Sequence, residues 1–97
     1  MDKTAVAIIK DYRFNLADPQ DDPRDRYFEK QSYSIWATNE IANLVYYHLD
    51  DDPVYLLEDF IHKMDTFADV YPYKGNNPFA IAKHVAEDIL DTLYAAR

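Results

Sequence analysis

Residues 53–70, PVYLLEDFIHKMDTFADV, decide the fold. With Tyr71 added, Leu57, Phe60, Ile61, Met64, Phe67 and Ala68 recur at steps of three and four and so line one face of an α-helix. Tyr55, Glu58, Asp59, His62 and Thr66 fall on the opposite face. A helix of this length draws most of its stability from covering its apolar stripe. The fold therefore depends on which neighbouring segments repeat the pattern.

The start of this segment carries a signature that recurs. Four of the five prolines follow Asp or Asn, at Asp18-Pro19, Asp22-Pro23, Asp52-Pro53 and Asn77-Pro78. An Asx oxygen accepts from the unpartnered N–H groups of a first helical turn. Proline just after it brings a helical φ and gives up an N–H that had no partner. The pairs at 22, 52 and 77 each precede an apolar-periodic stretch and read as helix starts.

Downstream, Asn77-Pro78 opens a helix reaching nearly to the C-terminus. Phe79, Ala82, Val85, Ala86, Ile89, Leu90 and Leu93 share its apolar face, with His84, Asp88 and Asp91 outside. The small side chains of Ala82 and Ala86 allow a neighbouring helix to approach closely. Upstream, a helical region extends from Pro23 to about Leu49, with a break expected near Gln31-Ser32-Tyr33-Ser34. Its stripe is Ser34, Ala37, Thr38, Ile41, Leu44, Val45 and His48, and Trp36, Glu40, Asn43 and Tyr47 line the other side. A helix with large aromatics on both sides is sandwiched between neighbours or presents a contact surface. For Trp36 the sandwiched position is the expectation.

Residues 4–16 fit two periods. Ala5, Ile9, Tyr12 and Leu16 make a helical face, whereas Tyr12, Phe14 and Leu16 alternate as in a strand. The absence of a convincing partner strand favours helix. Connections are short, so the expected fold is all-α: one domain over residues 1–97, a compact up-down antiparallel bundle of three to four helices.

Composition sets the outer limits. An apolar content of 48% is too high for a disordered chain. Without cysteine there is neither a disulfide framework nor a thiolate metal site. No apolar run approaches membrane-spanning length, and Met1-Asp2-Lys3-Thr4 opens a mixed segment unlike a signal peptide. A cytoplasmic, membrane-free protein is expected. The formal charge is −8, and fourteen of the eighteen acids are Asp, a residue suited to caps and turns. With no Lys/Arg cluster to displace counterions, direct binding to nucleic acid is disfavoured, while a basic protein partner suits the charge.

Templates for chemistry fit poorly. Residues 17–25, ADPQDDPRD, hold four aspartates but lack the alternating ligands, central Gly and closing Glu of a calcium loop. Asp50-Asp51-Asp52 reads as a solvated turn. His62 follows Glu58 and Asp59, and His84 precedes Glu87 and Asp88, at helical spacing. Both rings project away from the apolar stripes, whereas a bundle metal site needs them inside. Surface charge pairing is the better account. His48 sits on its stripe and reads as a boundary histidine with a hydrogen-bond partner. One glycine cannot build a phosphate-cradling loop. No catalytic residue, cofactor site or metal site is expected.

Surface character points elsewhere. Nine tyrosines, five phenylalanines and one tryptophan exceed what a core of this size hides. Aromatics favour interfaces, because they offer large apolar area with few rotatable bonds. Trp36, Tyr47, Tyr55, Tyr71 and Tyr73 are the candidate partner-binding residues. The loop YPYKGNN (71–77) serves either as a recognition surface or as a latch folding onto the bundle, and the latch is favoured. The expected function is a noncatalytic interaction or regulatory accessory module whose partner is another protein or a second copy. The alternative is an acidic mimic of nucleic acid seated in a basic groove.

Overall fold

A computed structural model describes residues 3–16, 26–73 and 75–96. The described residues form four helices: α1 (Thr4–Asn15), α2 (Arg26–Tyr46), α3 (Pro53–Val70) and α4 (Pro78–Ala96). There is no strand among the described residues, and the all-α bundle expected from periodicity is the fold. Residues 17–25, with the Asp18-Pro19 and Asp22-Pro23 pairs and the loop weighed for calcium, lie outside the described residues.

The first segment is helical throughout. Ala5 and Ile9 are buried and Tyr12 is half-buried, while Phe14 is 84% exposed. The alternating pattern is therefore unused, because it would need Phe14 and Tyr12 on one face.

In α2 the expected break near residues 31–34 does not occur. The Ser34 hydroxyl donates back to the Lys30 carbonyl at 2.9 Å, and Thr38 to the Ser34 carbonyl at 2.7 Å. Hydroxyls satisfied within the helix need not cap a new one. The stripe holds at Ala37, Thr38, Ile41 and Val45, all buried, with Ser34 and Leu44 half-buried. It fails at His48. The helix ends at Tyr46, short of Leu49, and a turn follows in which the His48 N–H donates to Val45 at 3.2 Å and Asp51 to His48 at 3.0 Å. Three carboxylates beyond a helix C-terminus oppose its dipole, which favours ending the helix before them. His48 therefore stands exposed in the turn, 3.7 Å from the Asp51 carboxylate, and is not a boundary histidine of the stripe.

Both described Asx-Pro pairs start helices. Asp52 accepts from the Val54 N–H at 3.0 Å. Asn77 accepts from Phe79 at 2.9 Å and from Ala80 at 3.4 Å. Helices α3 and α4 run antiparallel: the Tyr94 hydroxyl donates to Glu58 at 2.8 Å, and Lys83 donates to Asp65 at 3.0 Å. As the α3 number rises the α4 number falls, as befits a hairpin closed by residues 71–77.

Helices α2 and α4 each contact the other three, and α4, which makes the two most extensive helix pairings, is the centre of the bundle. Ile81, Ala82, Val85, Ala86, Ile89, Leu90 and Leu93 are all buried along it. Ile81 was not on the expected stripe. A helix touched from three sides buries a broader arc than one facing a single partner. Ala82 and Ala86 are wholly buried, as close helix approach requires. Ile9, Ile41, Leu57, Ile89 and Leu93 bring all four helices into one core.

Candidate interaction surface

The stripe of α3 does not stay inside. Leu57, Phe60 and Met64 are buried, but Phe67 is 38% exposed and Tyr71, just past the helix, is 54% exposed. Four rings gather there around Phe79 of α4. Phe67 lies 5.5 Å from its centroid, Tyr71 5.9 Å, Tyr73 6.3 Å and Trp36 6.4 Å. The Trp36, Phe67 and Tyr73 contacts are edge-on, the arrangement favoured by ring quadrupoles. Trp36 is 38% exposed, so it rests on a neighbour without being sandwiched. Tyr71 and Tyr73 do fold onto the bundle like a latch, yet about half of each ring faces solvent.

One side chain holds the loop that carries these tyrosines. While its oxygen caps α4, the Asn77 amide donates to the carbonyls of Ala68 at 3.2 Å and Tyr71 at 3.4 Å. The Tyr71 N–H bonds Phe67 at 2.9 Å, and Gly75 takes a φ of 94°, a backbone state that costs glycine little. The rings are thus held in place by the chain's own hydrogen bonds and ring contacts.

Of the five residues singled out in the sequence, Trp36, Tyr71 and Tyr73 converge here. Tyr47 and Tyr55 do not. Both are strongly exposed, Tyr47 in the turn after α2 and Tyr55 in the first turn of α3. The sixteen-residue separation of Tyr55 and Tyr71 corresponds to about 24 Å of helix. Phe67 belongs to the surface although sequence reasoning assigned it to the core, while Phe79, on the inward face as expected, is half-buried against the core and carries the other rings. The available signal was crowding: four aromatics, Phe67, Tyr71, Tyr73 and Phe79, fall within thirteen residues around one short loop, whereas nothing in the sequence brings in Trp36 from the middle of α2.

Charge surrounds the rings. Exposed Glu40 is one helical turn beyond Trp36. Lys83, one turn beyond Phe79, is bound to Asp65 at 3.0 Å and approaches Glu87 at 4.0 Å. Its ammonium is held above the usual lysine range by the Asp65 hydrogen bond first, then by the charges of Asp65, Glu87 and Asp69 against some desolvation.

A second polar locus lies across the bundle. Tyr12, Lys30, Ser34, His84 and Asp88 line a groove of about 350 Å³ between α1, α2 and α4. The Tyr12 hydroxyl donates to Asp88 over a long 3.4 Å. Burial, then the Asp88 charge and this bond, raise the phenol above its ordinary value. The fold thus favours protonated Tyr12, a contribution complete below about pH 10 and lost as pH rises through the raised value. Tyr12→Phe should accordingly show a smaller fall in Tm between pH 9 and pH 11 than the parent chain. An equal fall would place the alkaline sensitivity elsewhere, for example at Tyr46, whose phenol is also raised by burial.

His62 and His84 are both exposed, His62 opposite the apolar stripe of α3 and His84 at the edge of the groove between α1, α2 and α4. Among the described residues no group of three or more His, Asp or Glu is placed to hold a metal ion. No described helix is long and apolar enough to cross a membrane. No family model matches the chain, no curated protein is similar to it in sequence, and no solved structure matches it.

Proposed function

We propose that the protein is a noncatalytic interaction module that binds a partner protein through the rings gathered on Phe79. The observation that carries this reading is the convergence of Trp36, Phe67, Tyr71 and Tyr73 from three separate segments onto one half-exposed site. Large, preset aromatics at the rim of a packed core are the residue types that dominate binding energy in protein interfaces. A cytoplasmic, regulatory or accessory role is part of the same proposal and agrees with a cysteine-free chain.

Mimicry of nucleic acid has less support. It needs an unbroken acidic face, whereas Asp59, Asp65 and Glu87 stand beside Lys63 or Lys83. Site-directed photo-crosslinking in host cells tests the main reading. A crosslinker replacing Tyr73 should give discrete protein adducts that one replacing His62, on the outer face of α3, does not. Matching adduct patterns from the two positions, or adducts from Tyr55 alone, would overturn it.

A further inference from the structure

We infer that the segment seated on the Phe79 rings is a positively charged amphipathic helix of the partner, one that meets the rings with apolar side chains and the rim with Lys or Arg. This rests on the proposed protein-binding reading and adds the chemistry of the partner.

Size comes first. Rings centred 5.5–6.4 Å from the Phe79 centroid span no more than about 13 Å, within the length of two to three helical turns. That suits one helix face with a few large apolar anchors.

Charge selects the kind of helix. Glu40 flanks Trp36 on one side, and Asp65 and Asp69 lie in the field of Lys83 on the other. Against these three acids, among the described residues, stands Lys83, already engaged with Asp65. The rim is net negative on a chain of formal charge −8. Two copies meeting face to face would set Glu40 and Asp69 against acidic surface, and like charges across an interface are unfavourable. A cationic helix is instead steered toward the site, and its Lys or Arg heads can reach the exposed ring faces of Tyr71, Tyr73 and Trp36.

Trp36 is the sole tryptophan and lies within the patch, so its fluorescence reports occupancy directly. The probes are two amphipathic peptides of about fourteen residues, one of Leu and Lys and one of Leu and Glu, long enough to form helix on docking. The Leu/Lys peptide should shift Trp36 emission to the blue, and the Leu/Glu peptide should not. Raising salt from 50 to 500 mM should weaken the basic peptide about tenfold. Tyr71→Ser with Tyr73→Ser should abolish the shift at unchanged helical circular dichroism, and Tyr71→Phe with Tyr73→Phe should retain it. Glu40→Lys with Asp69→Lys should cut the affinity for the basic peptide by about five- to tenfold and admit the acidic one.

Equal response to both peptides, binding indifferent to the Tyr→Ser pair, or no shift with either peptide would overturn the inference. So would a concentration-dependent blue shift without peptide, which would make a second copy the occupant. None of these results touches the crosslinking contrast between Tyr73 and His62, so partner charge can fail while protein binding stands. Matching crosslink patterns would remove both.

Discussion

Ile89→Ala should lower the unfolding free energy by about 3 kcal/mol, within the range for removing three methyl(ene) groups from a closed core. Ile89 has no exposed surface and sits near the middle of α4, the helix with the most extensive packing against its neighbours. Its environment cannot collapse into the void without moving more than one helix, so the cavity cost adds to the lost transfer energy. A small domain has about 5–15 kcal/mol in all, so this single change removes a large share. Urea unfolding would show a lower midpoint at unchanged slope. Phe67→Ala, on the half-exposed stripe end, should cost clearly less despite deleting a larger side chain. The reverse order would mean that α4 is not the centre of the bundle.

Replacing Asn77 should have the next largest effect, because one amide joins two helices. Asn77→Ala loses the α4 cap, worth about 1 kcal/mol, and the bonds to the Ala68 and Tyr71 carbonyls, worth about 1 kcal/mol more. Asn77→Asp separates the two roles. It keeps an acceptor for the Phe79 N–H and adds a charge favourable at a helix N-terminus, but faces two carbonyls with no donor. Its loss should fall between zero and that of Asn77→Ala. Asp52→Ala, which removes only a cap, gives a reference of about 1 kcal/mol. Because Asn77 also holds the Tyr71 loop, Asn77→Ala should make Trp36 more accessible to acrylamide quenching, and Asp52→Ala should not. Equal quenching in the two variants would mean that the loop is held by its ring contacts alone.

The fold was largely legible because its cues are local. The stripes of α3 and α4 are set by spacing within each segment, and the Asp52 and Asn77 caps act two or three residues away. Reading failed where local cues compete. At Ser34 a capping residue bonded back along its own helix, and at His48 a regular stripe ran past the point where three carboxylates end the helix. The candidate surface was half legible. Exposed tyrosines can be guessed from their loops, but Phe67 looks like a core residue, since periodicity reports which way a side chain points and not how far the neighbours extend.

An all-α bundle of three to four helices, most of the inward faces and two of the starting points were already implied by the order of residues, since each follows from contacts within about one turn of backbone. The assembled bundle settled the rest: α4 in the middle, Ile81 inside, Phe67 emerging, and Trp36 brought to Phe79 from forty-three positions away. Those outcomes depend on where helices cross and where each runs out of partners. They are properties of distance through space, to which a 3.6-residue period is blind.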